Sequence, residues 1–343
     1  MSEIVRRRFL QGGAAVGAAF LFPAPFVRSA GAEDVRTLIL YNGQHRQTTD
    51  AVVQAFAEAT GILIAARNGS SAQLANQMIE EGDASPADVF YAEESSPIAA
   101  LSERGLLAKL DDGILRQVPA RYAAKDGSWI SVSARCRVVA YNKSMISESD
   151  MPASVLDFAS DAWKDKVAIV PTSGAFQQQI VAVEQLHGRD KALAWLKGLK
   201  ENGRVYNTNN AAMQAVEDGD IATALINNYY WFSVAREIGT ENMRSALHYI
   251  GHRDAGALVT VSAAAVLKSG RKQALAQQFV AYMMSEEGQK VIAASMAEYP
   301  LRRGIKSPYA LKPFEELDPP DIAPDDLGDG SAALALEREA GLA

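Results

Sequence analysis

A chain of 343 residues with 48% hydrophobic and 22% charged side chains can bury a sizeable core and is long enough for two domains, which excludes a disordered or fibrous protein. Its formal net charge of −7 argues against nucleic acid, whose phosphates demand basic patches. The only cysteine, Cys136, cannot form an intramolecular disulfide, and in the apolar run "SVSARCRVVAY" it reads as a buried, inert thiol.

The N-terminal stretch is set apart from the fold. Arg6, Arg7 and Arg8 precede a Gly/Ala-rich, mildly apolar segment and a small-residue pattern at Ala30-Gly31-Ala32, the features of an export signal, here similar to the twin-arginine type. Pro23 and Pro25 and the glycines argue against a membrane helix. Cleavage near Ala32 is expected. Removing residues 1 to 32 takes away four arginines and Glu3, which moves the formal charge from −7 to −10. No later apolar run reaches the length of a membrane span, so a soluble periplasmic protein is expected.

Strand-like and helical runs then alternate. "RTLILYNG" is a strand; Thr48 or Thr49 is expected to cap a helix with Val52, Val53, Phe56 and Ala59 on one face, ended by Gly61. "ILIAARNG", "SAQLANQMIEEG" and "ADVFYAE" continue as strand, helix and strand, so the opening is a set of β-α units on a mostly parallel sheet. The run "SWISVSARCRVVAYN" reads as a strand crossing from one lobe to another. Beyond it "KVAIVPTSGAF" is strand and turn, "QQQIVAVEQLHG", "RDKALAWLKGLKENG" and "NAAMQAVEDGD" are helices, and "IATALINN" is a strand. "GALVTVSAAAVLKSG" would carry the chain back. Helices follow over "RKQALAQQFVAYMMSEEGQKVIAASM", and a short helix closes the chain after a Pro/Asp-rich linker. The expected architecture is two α/β lobes with a cleft between them: residues 33–136 plus 260–310 form the first lobe, and 137–259 plus 311–343 the second.

In open α/β sheets ligands sit beyond the carboxyl ends of the strands. His45 follows the first strand and Glu93 and Glu94 end the third. Ser173, Gly174 and Ala175 begin a helix whose free N–H groups suit an anion. Asn227, Asn228, Tyr229 and Tyr230 follow the last strand of the second lobe. Phenolate and carboxylate are hard oxygen donors, and a phenol with an ordinary pKa near 10 ionises at neutral pH only for a highly charged cation. Ferric iron is the natural candidate.

At these residues the chain resembles the periplasmic ferric-ion-binding proteins of bacterial ABC importers, the bacterial transferrins. The resemblance spans nearly the whole chain after the signal. It is carried by "YNGQH", "SPADVFYAE", "PTSGAF", "QAVEDGDIATALINNYYW", "HRDAGALVTVSAAAVLKS" and "AEYPL". It implies a class II periplasmic-binding-protein fold with Fe(III) in the interlobe cleft. His45, Glu93, Tyr229 and Tyr230 would be the protein ligands. A synergistic anion, commonly phosphate or a carbonate-like ion, would rest on Ser173, Gly174 and Ala175, with Asn209 and Asn227 assisting. An inner-membrane ABC permease would be the partner of a monomeric receptor with no enzymatic activity.

The family also has an anion-independent branch with extra tyrosines. This chain has Arg46 and the "TSGAF" segment in those places, which points to the anion-assisted branch. Glu94 departs from it, standing where that branch usually has glutamine; a carboxylate there would repel phosphate unless protonated or paired. Arg46, Arg135 and Arg137 are the cations that could offset it. His187, His248 and His252, with Tyr41, Tyr91 and Tyr141, read as structural. Two rival functions use the same residues differently. One is a binding protein for an organic anion or sugar phosphate without metal; the other is a ferric dioxygenase, which would need an open coordination position and an aromatic-substrate pocket.

Overall fold

The computed structural model describes residues 36–343, and Arg36–Ala343 forms one compact unit; the expected export signal at 1–32 lies outside the described residues. The chain opens with β1 (Thr37–Asn42), α1 (Arg46–Thr60), β2 (Leu63–Asn68), α2 (Ser71–Glu81) and β3 (Val89–Ala92). β1 pairs in parallel with both β2 and β3, as helical crossovers require.

α1 starts earlier than its sequence suggests. Thr48 and Thr49 are buried inside it, and His45 holds the N-cap position. The cause is Asn42. Its Oδ1 accepts from the Gln44 N–H (3.1 Å) and from the Thr49 hydroxyl (2.8 Å), while its Nδ2 donates to the Gln44 carbonyl (2.9 Å) and to Asn68 Oδ1 (2.8 Å). With the Thr49 hydroxyl committed to Asn42, that residue serves as a brace for the β1–α1 turn. Gly61, at φ 69°, ends the helix in the left-handed region.

α3 (Ser95–Glu103) and α4 (Asp112–Leu115) lead to β4 (Trp129–Asn142), which is buried along its whole length. A second block follows: β5 (Val167–Ile169), α5 (Gly174–His187), α6 (Arg189–Asn202), β6 (Arg204–Val205), α7 (Asn209–Asp218), β7 (Thr223–Asn227), α8 (Asn228–Ile238) and β8 (Ser245–His248). β9 (Val259–Val266), α9 (Gln273–Met283), α10 (Glu286–Ser295), β10 (Tyr299–Pro300) and α11 (Ser331–Ala340) complete the described fold.

The strands order as β2-β1-β3-β9-β4-β7-β5-β6, with β8 and β10 also on β4. The flanks are parallel, but the centre is antiparallel. β9 runs against both β3 and β4, and the part of β4 from Arg137 to Tyr141 runs against β7. Long apolar runs with helices on their faces produce such strands. Phe56 on α1 meets Phe279 on α9 with ring centroids 5.0 Å apart; full burial of a phenylalanine contributes about 1.5–3 kcal/mol. On the other side Phe176 and Trp195 join α5 to α6, and Ala333, Leu336 and Ala340 of α11 enter the same cluster. Tyr41, Tyr91 and Tyr141 are buried core residues, and Cys136 is buried with its thiol pushed up to about 12 by desolvation.

Candidate metal centre

Three turns bring His45, Glu93 and Tyr229 together. The Asn42 brace fixes the loop after β1, and the His45 N–H donates to Gln44 Oε1 at 2.8 Å. Glu93 directly follows β3, its N–H held by Ser71 Oγ at 2.9 Å. Tyr229 and Tyr230 lie on the first turn of α8, a helix not expected after the strand run "IATALINN". Asn228 sets the start of that helix: its Oδ1 accepts from the Cys136 N–H (3.1 Å) and its Nδ2 donates to the Ala297 carbonyl (2.9 Å).

The donors converge on one oxygen. The Tyr229 hydroxyl donates to Glu93 Oε1 at 2.8 Å, and His45 Nε2 lies 3.3 Å from the same atom. His45 Nε2 is buried and has no hydrogen bond of good geometry. The Tyr229 and Tyr230 rings stand 4.3 Å apart, and the Tyr230 hydroxyl accepts from Asn209 Nδ2 at 3.2 Å. Arg135, buried in β4, reaches Glu298 at 3.4 Å and Glu93 at 4.0 Å. Glu298 was not among the expected site residues. It sits in the quoted "AEYPL" segment, but a lone glutamate there carries no sign that it would be buried.

Charge accounts for the titration of this cluster. Burial opposes ionisation of Glu93, yet His45, Arg135 and the Tyr229 hydroxyl hold its carboxyl down at about 2. Burial also works against a charged imidazole at His45, and the neighbouring Glu93 outweighs it, raising the pKa. Desolvation first, and then the Glu93 charge, drive both phenols above their ordinary value. Desolvation and the same charge push Glu94 up to about 8. Both phenols therefore stay protonated at neutral pH until a strong cation displaces the proton.

Beside this cluster lies a cavity of about 370 Å³, lined by Ser71, Glu93, Glu94, Ser173, Gly174, Asn209 and Tyr230 among others. Asn209 Nδ2 also donates to Ser173 Oγ at 3.0 Å. Ala175 and Asn227 do not line it. Ala175 is buried in the first turn of α5, and Asn227 Oδ1 accepts from Arg137 Nη1 at 3.2 Å. The Ser173 N–H is already bonded to the Val170 carbonyl, so the open donors begin with the first helical residues of α5. Of the three candidate cations, Arg135 lies near Glu94, Arg137 is bonded to Gln179, Asn227 and the Leu225 carbonyl, and Arg46 is exposed. A larger hollow of about 800 Å³, by Tyr141 and Trp163, shares none of these residues. Among the described residues no three His, Cys, Asp or Glu side chains form a metal cluster. The donor set here instead relies on phenols, which suits a hard trivalent cation.

Residues 51–313 match the family described as bacterial extracellular solute-binding protein. The chain belongs to that family. Among its relatives, the major ferric iron-binding protein of Neisseria meningitidis serogroup B is 44% identical over 89% of this chain and 93% of its own. The Fe(3+)-binding periplasmic protein of Serratia marcescens is 35% identical over 89% and 90%. The crystal structure of iron-bound HitA from Pseudomonas aeruginosa superposes with a TM-score of 0.87 at 52% identity, covering 89% of this chain and 99% of that one. The solute-binding proteins' mixed α/β fold, expected from the sequence, is the fold of this chain.

Proposed function

We propose that this solute-binding protein captures Fe(III) in the periplasm and delivers it to an inner-membrane ABC permease, and that it is not an enzyme. The observation that carries this is the convergence of the Tyr229 hydroxyl and His45 Nε2 on Glu93 Oε1. Removal of the phenolic protons would leave Glu93 and two phenolates, whose three negative charges match a ferric ion, with the neutral His45 imidazole as a further donor. The named ferric-iron-binding relatives support the same cargo.

On this account residues 33–136 plus 260–310 and 137–259 plus 311–343 act as two lobes of a monomer. Tyr229 and Tyr230 would take the metal from the second lobe while the cleft is open, releasing protons. His45 and Glu93 would add their bonds only on closure, so the metal would favour the closed state. Ser173, Gly174 and Asn209 line the cavity where a synergistic anion such as phosphate or carbonate would complete the site. Closure is the signal a permease could read. Among the described residues no helix is long and apolar enough to cross a membrane, in keeping with a receptor that shuttles.

The test is metal content. Purified chain lacking residues 1–32, loaded with excess ferric citrate and desalted, should retain one iron per molecule by elemental analysis. Retention of none, with a sugar phosphate or other organic anion bound in its place, would replace this function.

A further inference from the structure

We propose that residues 321–330 form a strap that holds the two lobes closed, locked by the buried hydroxyl of Ser95, and that this strap sets how fast bound iron escapes. The inference rests on the two closing lobes and the ferric cargo proposed above, and names the part of the chain that keeps the closed state closed.

The strap is anchored by apolar packing on one side only. Ile322 and Leu327 belong to the same buried cluster as Phe176 and Trp195, and Leu336 and Ala340 of α11 extend it; every member of that cluster lies within residues 137–259 or 311–343. Neither Ile322 nor Leu327 joins the clusters that hold the opening β-α units. Hydrogen bonds tie the strap to the first lobe instead. Asp326 Oδ1 accepts from Lys125 Nζ at 2.6 Å, the Ile322 carbonyl from Arg121 Nη2 at 3.3 Å, and the Pro324 carbonyl from the Ser95 hydroxyl at 3.1 Å. Such a segment travels with the second lobe and can let go of the first, because water replaces each polar partner when the cleft opens.

Ser95 is the node. It is fully buried in α3, two residues beyond Glu93. While its hydroxyl donates to Pro324, it accepts from Gln178 Nε2 of α5 at 2.9 Å, so one oxygen joins α3, α5 and the strap. Gln178 is 2% exposed, and its Oε1 has no partner. Breaking this enclosed chain strands buried polar atoms, whereas solvent already screens the exposed Lys125–Asp326 pair. Past Leu327 the backbone turns at Gly330 with φ 86°, and a Cβ built there would lie 3.7 Å from Ser96 Cβ. That passage brings Asp329, Gly330 and Leu334 into the lining of the cavity beside the ligand cluster. Releasing the strap therefore opens a wall of the cavity as well as freeing the lobes.

The test uses the chain after residue 32, loaded with ferric citrate and desalted. Its readouts are the phenolate-to-iron absorption band, the rate of iron loss to a competing chelator, and stability in urea. Wild type should show its full band at one equivalent. Ser95→Ala and Gln178→Met, the latter also removing the donor that reaches Ser96 Oγ at 3.4 Å, should keep that band, since every ligand is in place, yet lose iron at least about tenfold faster. Lys125→Ala, at the exposed end of the strap, should speed the loss by only about twofold. Phe279→Leu, in the α1–α9 core, should lower stability in urea with no change in that rate. Rates equal to wild type in both Ser95→Ala and Gln178→Met, a band that disappears in them, or an equal acceleration in Phe279→Leu would overturn the strap and leave the ferric assignment standing. A wild type that takes up no iron would overturn that assignment, and this inference with it.

Discussion

Tyr229, on the first turn of α8, donates its phenolic hydrogen to Glu93 at the end of β3 across 2.8 Å. One proton therefore links a strand of the opening parallel block to a helix of the second block, at the position a cation would take. Iron binding should expel it together with that of Tyr230. With both phenols raised above their ordinary pKa by burial and the Glu93 charge, a pH-stat titration near neutrality should record at least about two protons released per ferric ion. Release of none would exclude phenolate ligation.

His45 and Tyr229 should contribute unequally. On the proposed ligation the imidazole would bind as a neutral donor, whereas the phenolate would also cancel metal charge. His45→Ala is expected to raise the rate of iron loss to a chelator by about tenfold, and Tyr229→Phe by about a hundredfold or more. Equal effects would argue that charge is not what holds the metal.

Arg135 and Glu298 are each 1% exposed and lie 3.4 Å apart. Breaking such a pair strands a buried charge. Arg135→Met should lower the stability of the iron-free protein by about 3–5 kcal/mol in urea unfolding, and Arg135→Met combined with Glu298→Gln should cost much less than the sum of the two single changes.

Glu337 on α11 is 1% exposed; Gln177 Nε2 donates to its Oε2 at 3.2 Å, while its Oε1 has no partner. Desolvation pushes its carboxyl up to about 7. A raised carboxyl pKa means that the fold favours the protonated form. That contribution is complete below the ordinary carboxyl pKa and is lost as pH rises through about 7. Glu337→Gln should therefore melt higher than wild type above pH 7, with the gap closing as pH falls toward the ordinary value. A gap independent of pH would contradict the burial argument.

Much of the fold was legible because its strands are uninterrupted apolar runs and its helices carry one apolar face. β1, β3 and β4 follow their sequence patterns to within a residue or two, while β9 is shorter than its apolar run at both ends. α8 escaped because "NYYWFSV" is aromatic and β-prone, and only the tie of Asn228 to β4 and Ala297 reveals a helix start. The start of α1 was misplaced because a threonine that looks like a cap is bonded to Asn42 instead. The site residues could be named one strand end at a time. The bond from Gln178 to Ser95 could not, since it joins residues 83 positions apart through packing alone. The Arg135–Glu298 pair was hidden for the same reason: a charged residue in a strand usually snorkels to solvent, and nothing local says that this one is enclosed.

The most direct test of the central claim is a visible absorption titration of the chain after residue 32 with ferric ion, run beside Tyr229→Phe and Tyr230→Phe. A phenolate-to-iron charge-transfer band that saturates at one equivalent in wild type and collapses in both variants is the predicted result. A wild-type protein that binds ferric ion with no such band, or variants that keep it at full intensity, would contradict the tyrosine-centred site.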